Sequence, residues 1–558
     1  MTIRKVTDTE EGAYTEGTVT LPPAGLPSRK PTQSYWLREP SPVLLGHRTT
    51  DALPETADVV VVGSGITGAF AAKFLKEGFP VVPGPGQGEE EEEDGDEKRL
   101  GQERTVVMLE AREACSGATG RNGGHCQPLV YGSVPEVAAF ELEVFEFMER
   151  FVREEGVDCD WVSLTGVHAF LSENMFELAA AEAEQLQQSH PELAAQLEVV
   201  RASESSSAVT DQNDTLASLR VPSAKGAIIQ KKAASLWPYK LVACILERLI
   251  SKFPAPGFNL QTNTPVTSIC RHESGTGWTL HTPRGNIIAR QVLLATNGYT
   301  SHLLPAFSDL IVPVRGQIGA LLPPRADDRG ADAVEESSQP PAKLAHSYVF
   351  AADPEPGSDT PAPRDDYLAQ RPLPAGELIY GGGKRFARSL GVGEWRDDEV
   401  EEDVAAYLRS NLSPPLDLKP ESDVEKRGPE LPGGCGLEAS FEWTGVMGYS
   451  RDHHAWVGPV PESLGGGGPG GGLWICAGYT GHGMPAAALS AREVVRQMMG
   501  GRVAAEEKAG ARLPQEFVLN EERVARARGL PHLTQGWEAT NLASLITGAG
   551  LLASGKGM

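Results

Sequence analysis

The sequence lacks every pattern that would direct the protein into or across a membrane. Its first residues, Met1–Asp8, contain no apolar stretch of the kind that a secretory signal needs. No run reaches the roughly 18 apolar residues of a membrane-spanning helix, and the end of the sequence, Gly555–Met558, is not a peroxisomal tripeptide. We therefore expect a cytoplasmic protein without a membrane partner.

Cysteine is also scarce, with seven in 558 residues, no C-x-x-C motif and no paired spacing. This scarcity suits a reducing compartment. His453 and His454 are adjacent rather than one helical turn apart and have no cysteine nearby, so no metal site is expected. The formal net charge of −25 disfavours nucleic acid or an anionic membrane as a partner.

The strongest positive signal is a strand pattern followed by a glycine turn. Four valines, 59–62, precede Gly63, Gly65 and Gly68 in G-x-G-x-x-G spacing, and small apolar residues follow. In such a turn the first glycine makes the bend, the second lets the backbone approach a pyrophosphate, and the third lets the helix pack closely on the strand. The helix N-terminus then offers free N–H groups to phosphates. The pattern predicts a dinucleotide site, and its context on both sides favours this over a turn without a ligand.

The acidic residue expected about 20 positions after this motif comes late, as Glu110. An insertion explains the delay, because residues 83–104 are rich in Pro and Gly and then strongly acidic, with eight Asp or Glu in nine consecutive positions. Such a segment cannot form a core and predicts a solvated loop. Without it, Val106–Leu109 becomes the second parallel strand. Glu110 then meets a ribose 2′-hydroxyl, which disfavours NADP.

Hydrophobic periodicity predicts the remaining elements. The predicted helices are a core-covering helix over 136–155, a helical segment over 175–202, a helix over Pro238–Lys252 and a partly helical tail over Gln515–Arg528. The predicted strands are a hairpin from 264 that runs into an apolar strand at 291, and single strands at Gln317–Leu322, Ser347–Ala351 and Glu377–Gly381. Gly465–Gly472 is predicted to be a hairpin loop. The strands after 313 are broken by loops, so they predict a mostly antiparallel second domain.

Four stretches in this order carry a family resemblance. They are the glycine turn with Glu110, the loop Ser116–His125 (SGATGRNGGH), the strand end Ala295–Tyr299 followed by Pro313–Gln317, and the segment Gly472–Pro485 that opens a helix. Together they resemble the D-amino-acid oxidase–like superfamily of FAD-dependent oxidoreductases. More narrowly, they are similar to its fungal and bacterial branch around γ-glutamylputrescine oxidase.

The resemblance implies an α/β (α+β) fold of the glutathione-reductase-2 type. In it, a Rossmann-like FAD-binding domain is interleaved with a mostly antiparallel substrate domain. The implied boundaries are an N-terminal arm at 1–50, the FAD-binding domain at 51–165, 226–312 and 441–500 with the acidic insertion 83–104, the substrate domain at 166–225 and 313–440, and a tail at 501–558.

The resemblance also implies which residues contact FAD. They are Gly63, Gly65, Ile66, Thr67, Gly68, Glu110, Ala111, Arg112, Ser116, Gly117, Thr119, Arg121, Asn122, Gly123, Gly124, Val266, Ala295, Thr296, Asn297, Gly478, Gly481, His482, Gly483 and Met484. The segment 481–485 would place a helix N-terminus at the negatively charged edge of reduced flavin. That role rests on backbone N–H groups, so His482 is a secondary candidate for a catalytic role.

Catalytic and substrate residues follow from the same resemblance. Lys384 occupies the position at which a lysine of related oxidases stabilises superoxide as it forms. An equally good interpretation is that Lys384 and the following arginine are a solvated pair. Substrate contacts are expected among Tyr348, Tyr367, Arg371, Trp443 and Tyr449. Arg371 could clamp a carboxylate, with an ordinary structural arginine as the alternative.

Relatives such as monomeric sarcosine oxidase hold the flavin through a cysteine shortly before a turn. The matching turn here begins at Tyr449, and its register puts Gly445 at that position, while Cys435 lies too far upstream. Other relatives use an early histidine, for which His125 is the nearby candidate. Non-covalent FAD is therefore expected.

The implied reaction is oxidation of the C–N bond of an amine or amino acid to an imine, with O2 as acceptor and H2O2 as product. One alternative is a dehydrogenase that passes electrons to a quinone or carrier protein. Another is a flavin-binding sensor or scaffold without turnover, against which the intact glycines and Glu110 argue. The substrate is a small molecule whose identity the sequence leaves open.

Overall fold

The computed structural model describes residues 21–79, 103–202, 215–324, 341–354, 362–418, 436–500 and 512–533. Within them the chain forms two β-sheets with α-helices around them. The strands are β1 (Thr56–Val62), β2 (Val106–Leu109), β3 (His125–Cys126), β4 (Val162–Phe170), β5 (Leu197–Arg201), β6 (Gly226–Ser235), β7 (Phe258–Gln261), β8 (Ser268–Arg271), β9 (Trp278–Thr282), β10 (Gly285–Leu294), β11 (Ile311–Leu321), β12 (His346–Ala352), β13 (Arg364–Gln370), β14 (Leu378–Gly382), β15 (Ala439–Ser450), β16 (Trp456–Pro459) and β17 (Leu473–Ala477). The helices are α1 (Ile66–Glu77), α2 (Pro135–Glu154), α3 (Glu173–Ser189), α4 (Pro191–Ala194), α5 (Pro238–Lys252), α6 (Thr300–Leu303), α7 (Glu402–Ser410), α8 (Ala487–Met498) and α9 (Glu521–Arg528).

The first sheet is built on parallel strands in the order β10–β1–β2–β7. The valines of β1 are almost fully buried, which is typical of a parallel strand covered on both faces. Helices α1, α5 and α8 cover one face. The hairpin β8–β9, which pairs with the start of β10, packs on the other. Strand β17 pairs with β10 in parallel, and β16 pairs with β17 in antiparallel orientation to form the edge of the sheet. This is the Rossmann-like domain that the sequence predicts.

The second sheet has the order β15–β11–β14–β13–β12–β4–β6–β3, with β5 paired to β6. Its pairs are antiparallel except for β12 and β4. Because side chains alternate along a strand, one face of β4, β6, β12 and β13 packs in a core of its own. The other face points toward the first domain. The predicted fold class is confirmed.

Two strands join a different sheet from the one that the predicted domain division implies. Gly226–Ser235 pairs with β4 and β5, and Ala439–Ser450 pairs with β11, so both belong to the second sheet rather than with the first. The apolar pattern of these two strands does not show which sheet they join, because a strand between two domains is apolar on whichever face is covered. The predicted helical segment 175–202 also ends early. Helix α4 stops at Ala194, and the stretch containing Val199 pairs with β6 as a strand.

The predicted arm, 1–50, is described from residue 21 and lies across the loop that follows β2. The hydroxyl of Ser34 donates to the carbonyl of Gly120 at 2.7 Å, and Nε1 of Trp36 donates to the carbonyl of Asn122 at 2.6 Å. The predicted acidic loop, 83–104, lies outside the described residues apart from its last two. Within the described ranges, no helix is both long and apolar enough to cross a membrane.

A buried arginine docks helix α9 onto the end of β15. The guanidinium of Arg523 donates to both carboxylate oxygens of Asp452, at 2.8 and 2.9 Å, and lies 3.7 Å from the ring centroid of Trp456. Its remaining N–H groups donate to the carbonyls of His454 and Ala455. Arg523 is therefore a buried anchor of the tail, which Arg528 also ties to Asp309.

We expect Arg523→Ala to lower the free energy of unfolding by about 3–5 kcal/mol, because the carboxylate of Asp452 is left without its partner in a largely buried position. The matched control is Arg526→Ala on the same helix, whose side chain is 65% exposed and lies 3.6 Å from Glu522. That change should cost at most about 0.5 kcal/mol. Urea denaturation followed by circular dichroism measures both, and equal effects would contradict the anchoring role.

Candidate active site

A cavity of about 450 Å³ lies between the two sheets, at the carboxyl ends of β1, β2 and β10. Open α/β sheets bind ligands at this edge. Each of the three strands ends in residues that line the cavity, namely Gly63 after β1, Glu110 after β2 and Ala295 after β10. Side chains on the strands of the second sheet form the opposite wall.

The glycine turn after β1 is shaped by close backbone contacts. Gly63 has a φ of +107°, and a Cβ added there would lie 2.6 Å from the carbonyl oxygen of Ala295. A Cβ on Gly68 would lie 2.0 Å from the carbonyl oxygen of Gly63. Gly65 precedes α1 as its N-cap without a side-chain hydrogen bond, and the N–H of Ile66 donates to the hydroxyl of Thr119 at 3.1 Å. The turn therefore presents backbone and the start of a helix to the cavity.

Glu110 ties this turn to the end of β2. One of its carboxylate oxygens accepts the N–H and hydroxyl of Ser64, at 3.1 and 2.6 Å, and the other accepts the N–H of Arg112 at 3.0 Å. The side chain is 8% exposed and lines the cavity. It is placed to accept a further hydroxyl from a ligand at this edge.

Arg112 and Arg121 share one buried carboxylate. Arg112 binds Asp397 through both terminal nitrogens, at 3.0 and 2.9 Å, and Nε of Arg121 lies 3.3 Å from the same carboxylate. Burial lowers the pKa of Arg121 to about 10 against the opposing pull of Asp397, so the group stays charged at neutral pH. Arg121 also donates to the carbonyls of Thr32 and Thr444. Both arginines line the cavity, and they share the one negative charge of Asp397 inside the protein.

Lys384 and Asp365 form an ion pair on the wall contributed by the second sheet. Nζ of Lys384 lies 2.5 Å from Asp365. Burial disfavours the charge, but the carboxylate holds the pKa of Lys384 above its ordinary value. The rings of Tyr367 and Tyr449 line the same wall. Gly383, with a φ of +66°, turns the chain so that Lys384 follows directly after β14.

His482 lies at the other side, in the turn before α8. Its Nδ1 is 3.4 Å from Glu141 on α2. Burial alone would lower the pKa of His482, but the charge of Glu141 and its hydrogen bond raise it. Helix α8 begins at Ala487, two residues later than Pro485, so the residues 481–485 form the turn that leads into the helix and line the cavity.

A cluster of uncharged polar side chains also lines the cavity, although no sequence pattern predicts it. It comprises Gln127, Tyr131, His168 and Gln230, which we call the polar recess. His168 lies on β4 and Gln230 on β6, while the other two follow β3. They come together only through strand pairing, and no motif spacing connects them.

Most of the predicted site residues line the cavity. Those that do are Gly63, Gly65, Ile66, Thr67, Glu110, Ala111, Arg112, Gly117, Thr119, Arg121, Asn122, Gly123, His125, Val266, Ala295, Thr296, Asn297, Tyr367, Lys384, Tyr449, Gly481, His482, Gly483 and Met484. Gly68, Ser116, Gly124 and Gly478 lie just behind this lining. Ser116, for example, accepts from Arg112 and Arg121.

Three predicted substrate residues lie elsewhere. Tyr348 is fully buried in the core of the second sheet, because Val349 and not Tyr348 points toward the cavity on alternating strand β12. Trp443 is buried against the arm and donates Nε1 to the carbonyl of Arg121 at 2.9 Å. Arg371 is 4% exposed and pairs with Asp160 at 2.5 Å. It does not line the cavity.

A family model described as FAD dependent oxidoreductase (DAO) matches residues 58–497. The chain belongs to this family. None of the curated proteins matches its sequence. The family resemblance predicted from the four stretches is thus confirmed.

Solved structures share the fold of this FAD-dependent oxidoreductase at low identity. Glycine oxidase from Geobacillus kaustophilus is 16% identical with a TM-score of 0.53, over 81% of this chain and 96% of that one. L-amino acid deaminase from Proteus vulgaris is 15% identical with a TM-score of 0.52, over 85% and 96%. NikD, an amino acid oxidase of nikkomycin biosynthesis, is 14% identical with a TM-score of 0.53, over 83% and 98%. These likenesses concern the fold.

The residues present fit FAD, the cofactor of this family. The cradle at Gly63 and Gly68 has no room for a Cβ, and the start of α1 faces the cavity with backbone N–H groups suited to a pyrophosphate. Glu110 supplies the acceptor for a ribose hydroxyl. The described residues contain no cluster of His, Cys, Asp and Glu that could hold a metal ion.

We expect Gly68→Ala to weaken flavin binding by about 10- to 100-fold, because overpacking of this kind costs roughly 1–3 kcal/mol. The added Cβ would force α1 away from the turn at Gly63. The control is Gly470→Ala, where a Cβ meets no atom within 4 Å. Flavin absorbance per chain after purification measures both variants, and full flavin content in Gly68→Ala would contradict the role of this contact.

Proposed function

We propose that the protein oxidises the C–N bond of an amine or amino acid to an imine, with O2 as the electron acceptor and H2O2 as the product. The observation that carries this proposal is the continuity of the cavity. It runs from the glycine turn at Gly63 to the wall with Lys384 and Tyr449. Solved neighbours named as a glycine oxidase, an amino acid deaminase and a proline dehydrogenase support this class of donor.

Some residues of the cavity would hold FAD, and others would position the substrate. The turn at Gly63–Gly65, Glu110 and Asn122 would hold FAD, together with the backbone of 481–484. When bound, FAD supplies the acceptor for the hydride equivalent that leaves the carbon next to nitrogen. The substrate amine needs only to lose its ammonium proton, so the site requires no strong general base.

Tyr367 and Tyr449 give the substrate side of the cavity a closed, largely apolar wall. A Cβ on Gly123 would lie 2.1 Å from the ring of Tyr367, so the loop after β2 and strand β13 are in close contact there. A substrate bound against these rings would displace water from the reacting carbon, which strengthens the electrostatic effects of nearby charges. The ion pair of Lys384 with Asp365 lies on this same wall.

Lys384 is the residue we assign to O2 activation, as a cation beside the place where superoxide forms. We expect Lys384→Met to lower the second-order rate constant of the reduced enzyme with O2 by about 100-fold. The anaerobic rate of reduction by the amine should change little. Because Asp365 holds the pKa of Lys384 above its ordinary value of 10.5, the lysine stays charged, and the O2 rate constant should not fall as the pH rises toward that value.

The matched control is Lys225→Met, a change of the same kind at an exposed lysine before β6. Stopped-flow mixing of the reduced enzyme with O2 measures all three proteins. An unchanged O2 rate constant in Lys384→Met would contradict the assignment. A slow O2 reaction of the wild-type protein would favour the dehydrogenase alternative, in which a quinone or carrier protein takes the electrons.

FAD is proposed to be held without a covalent bond. A Cβ on Gly445, the position of the tether in some relatives, would lie 2.9 Å from Cβ of Arg121. None of the six described cysteines lines the cavity, and Cys435 lies outside the described residues. His125 lines the cavity and has its Nε2 2.8 Å from the hydroxyl of Ser347.

We expect acid precipitation of the purified protein to release all flavin into the supernatant, because no side chain would hold it once the fold is lost. Absorption spectra of supernatant and pellet measure the partition. Flavin retained in the pellet would contradict the proposal. Its disappearance from the pellet of His125→Asn would then identify the histidine as the tether.

A further inference from the structure

Three consecutive residues of the arm, Gly25, Leu26 and Pro27, line the cavity, although they precede the residues that the family model matches. We call them the bridge. All three are half-buried, whereas the chain is exposed at 22–23 before them and at 29–30 after them. The bridge is therefore a surface segment whose inner side faces the cavity.

Both ends of the bridge are attached to the first domain by hydrogen bonds. Before the bridge, the N–H of Ala24 donates to Oγ of Ser301 at 3.0 Å, and the carbonyl of Ala24 accepts from Nδ1 of His302 at 3.2 Å. After the bridge, the carbonyl of Ser28 accepts from Nη1 of Arg112 at 3.1 Å. Ala24 and Ser28 are both buried, so these two attachment points fix the course of the chain between them.

The two attachment points place the bridge over the glycine turn. Ser301 belongs to α6, which follows β10, and Arg112 belongs to the loop that follows β2. Strand β1 lies between β10 and β2 in the first sheet. A segment that connects the two attachment points therefore crosses the carboxyl end of β1. That end carries the turn at Gly63–Gly65, whose backbone is suited to the pyrophosphate of a dinucleotide.

The second domain also holds the bridge in place. A Cβ added to Gly25 would lie 2.5 Å from the ring of Trp395, in the segment before α7, so this ring lies directly against the backbone of the bridge. Further along the arm, the N–H of Thr32 donates to the carbonyl of Asp397 at 2.8 Å. The bridge thus forms a closed cover, and it can lift from the cavity only when contacts at one of its ends break.

We propose that the bridge covers bound FAD and that FAD enters and leaves the protein through the opening that the bridge closes. The arm is then a part of the cofactor site that lies outside the family-matched residues. The attachment of Ala24 to α6 is the end that releases, because the other end is continued by the contacts of Thr32. This inference does not depend on which donor the enzyme oxidises or on which acceptor takes the electrons.

A disulfide between positions 24 and 301 tests the proposal. Ala24→Cys combined with Ser301→Cys puts two thiols at contacting positions, and oxidation then fixes the bridge to α6. We expect the cross-link to slow the release of FAD from the holoprotein, and its uptake by the flavin-free protein, by at least about tenfold each. Flavin fluorescence measures both rates, a thiol titration confirms the cross-link, and reduction with a phosphine should restore both rates.

Slower uptake is the decisive result, because a cross-link that only stabilised the folded protein would slow release alone. Equal rates before and after reduction of the disulfide, or slower release with unchanged uptake, would overturn the proposal. The single variants Ala24→Cys and Ser301→Cys, treated with the same oxidant, are the matched controls. Reduction should change neither rate in them.

Ser301→Ala tests the same attachment without a cross-link. It removes the acceptor of the N–H of Ala24, so the bridge should open more often, and both release and uptake of FAD should become about tenfold faster. The control is Ser308→Ala, whose hydroxyl donates to the carbonyl of Pro305 at 2.7 Å within its own turn and which should leave both rates unchanged. Wild-type rates in Ser301→Ala would overturn the proposal.

Discussion

One buried carboxylate, Asp397, connects the parts of the molecule that surround the cavity. It binds Arg112 and Arg121 of the loop after β2, and its backbone carbonyl accepts from Thr32 of the arm. Arg121 also reaches the carbonyl of Thr444 on β15. Breaking a buried pair of this kind costs several kcal/mol, so these charges help the shared hydrophobic core to hold the first sheet, the arm and the second sheet in one arrangement.

That arrangement decides what the cavity can do. The glycine turn and Glu110 bring backbone and one acceptor to a dinucleotide, while the second sheet brings Lys384, Asp365 and the polar recess to the opposite wall. Arg112, Arg121 and Lys384 on the lining each lie beside a carboxylate of the protein, so shape and hydrogen bonds contribute to selectivity. Such a site distinguishes substrates mainly by whether its buried polar groups find partners.

The sequence predicts the cofactor side of the site well and the substrate side poorly, for a physical reason. The glycines, Glu110 and the loop at 116–124 act through local backbone geometry, so their spacing along the chain carries the information. Asp397, Arg371 and the recess act through contacts between distant strands, as His168 on β4 and Gln230 on β6 show. Charged strand β13 looks like a loop in sequence, yet Asp366 is buried there because Tyr380, Tyr407 and Arg364 all donate to it.

The central claim is that this cavity holds FAD and brings an amine to it. Anaerobic addition of a primary amine to the purified protein, followed by visible absorption, tests this most directly. We expect the protein to carry oxidised flavin, whose absorption disappears on addition of the amine and returns when air is admitted. A colourless protein, or flavin absorption that no amine or amino acid removes, would rule out these roles of the cavity.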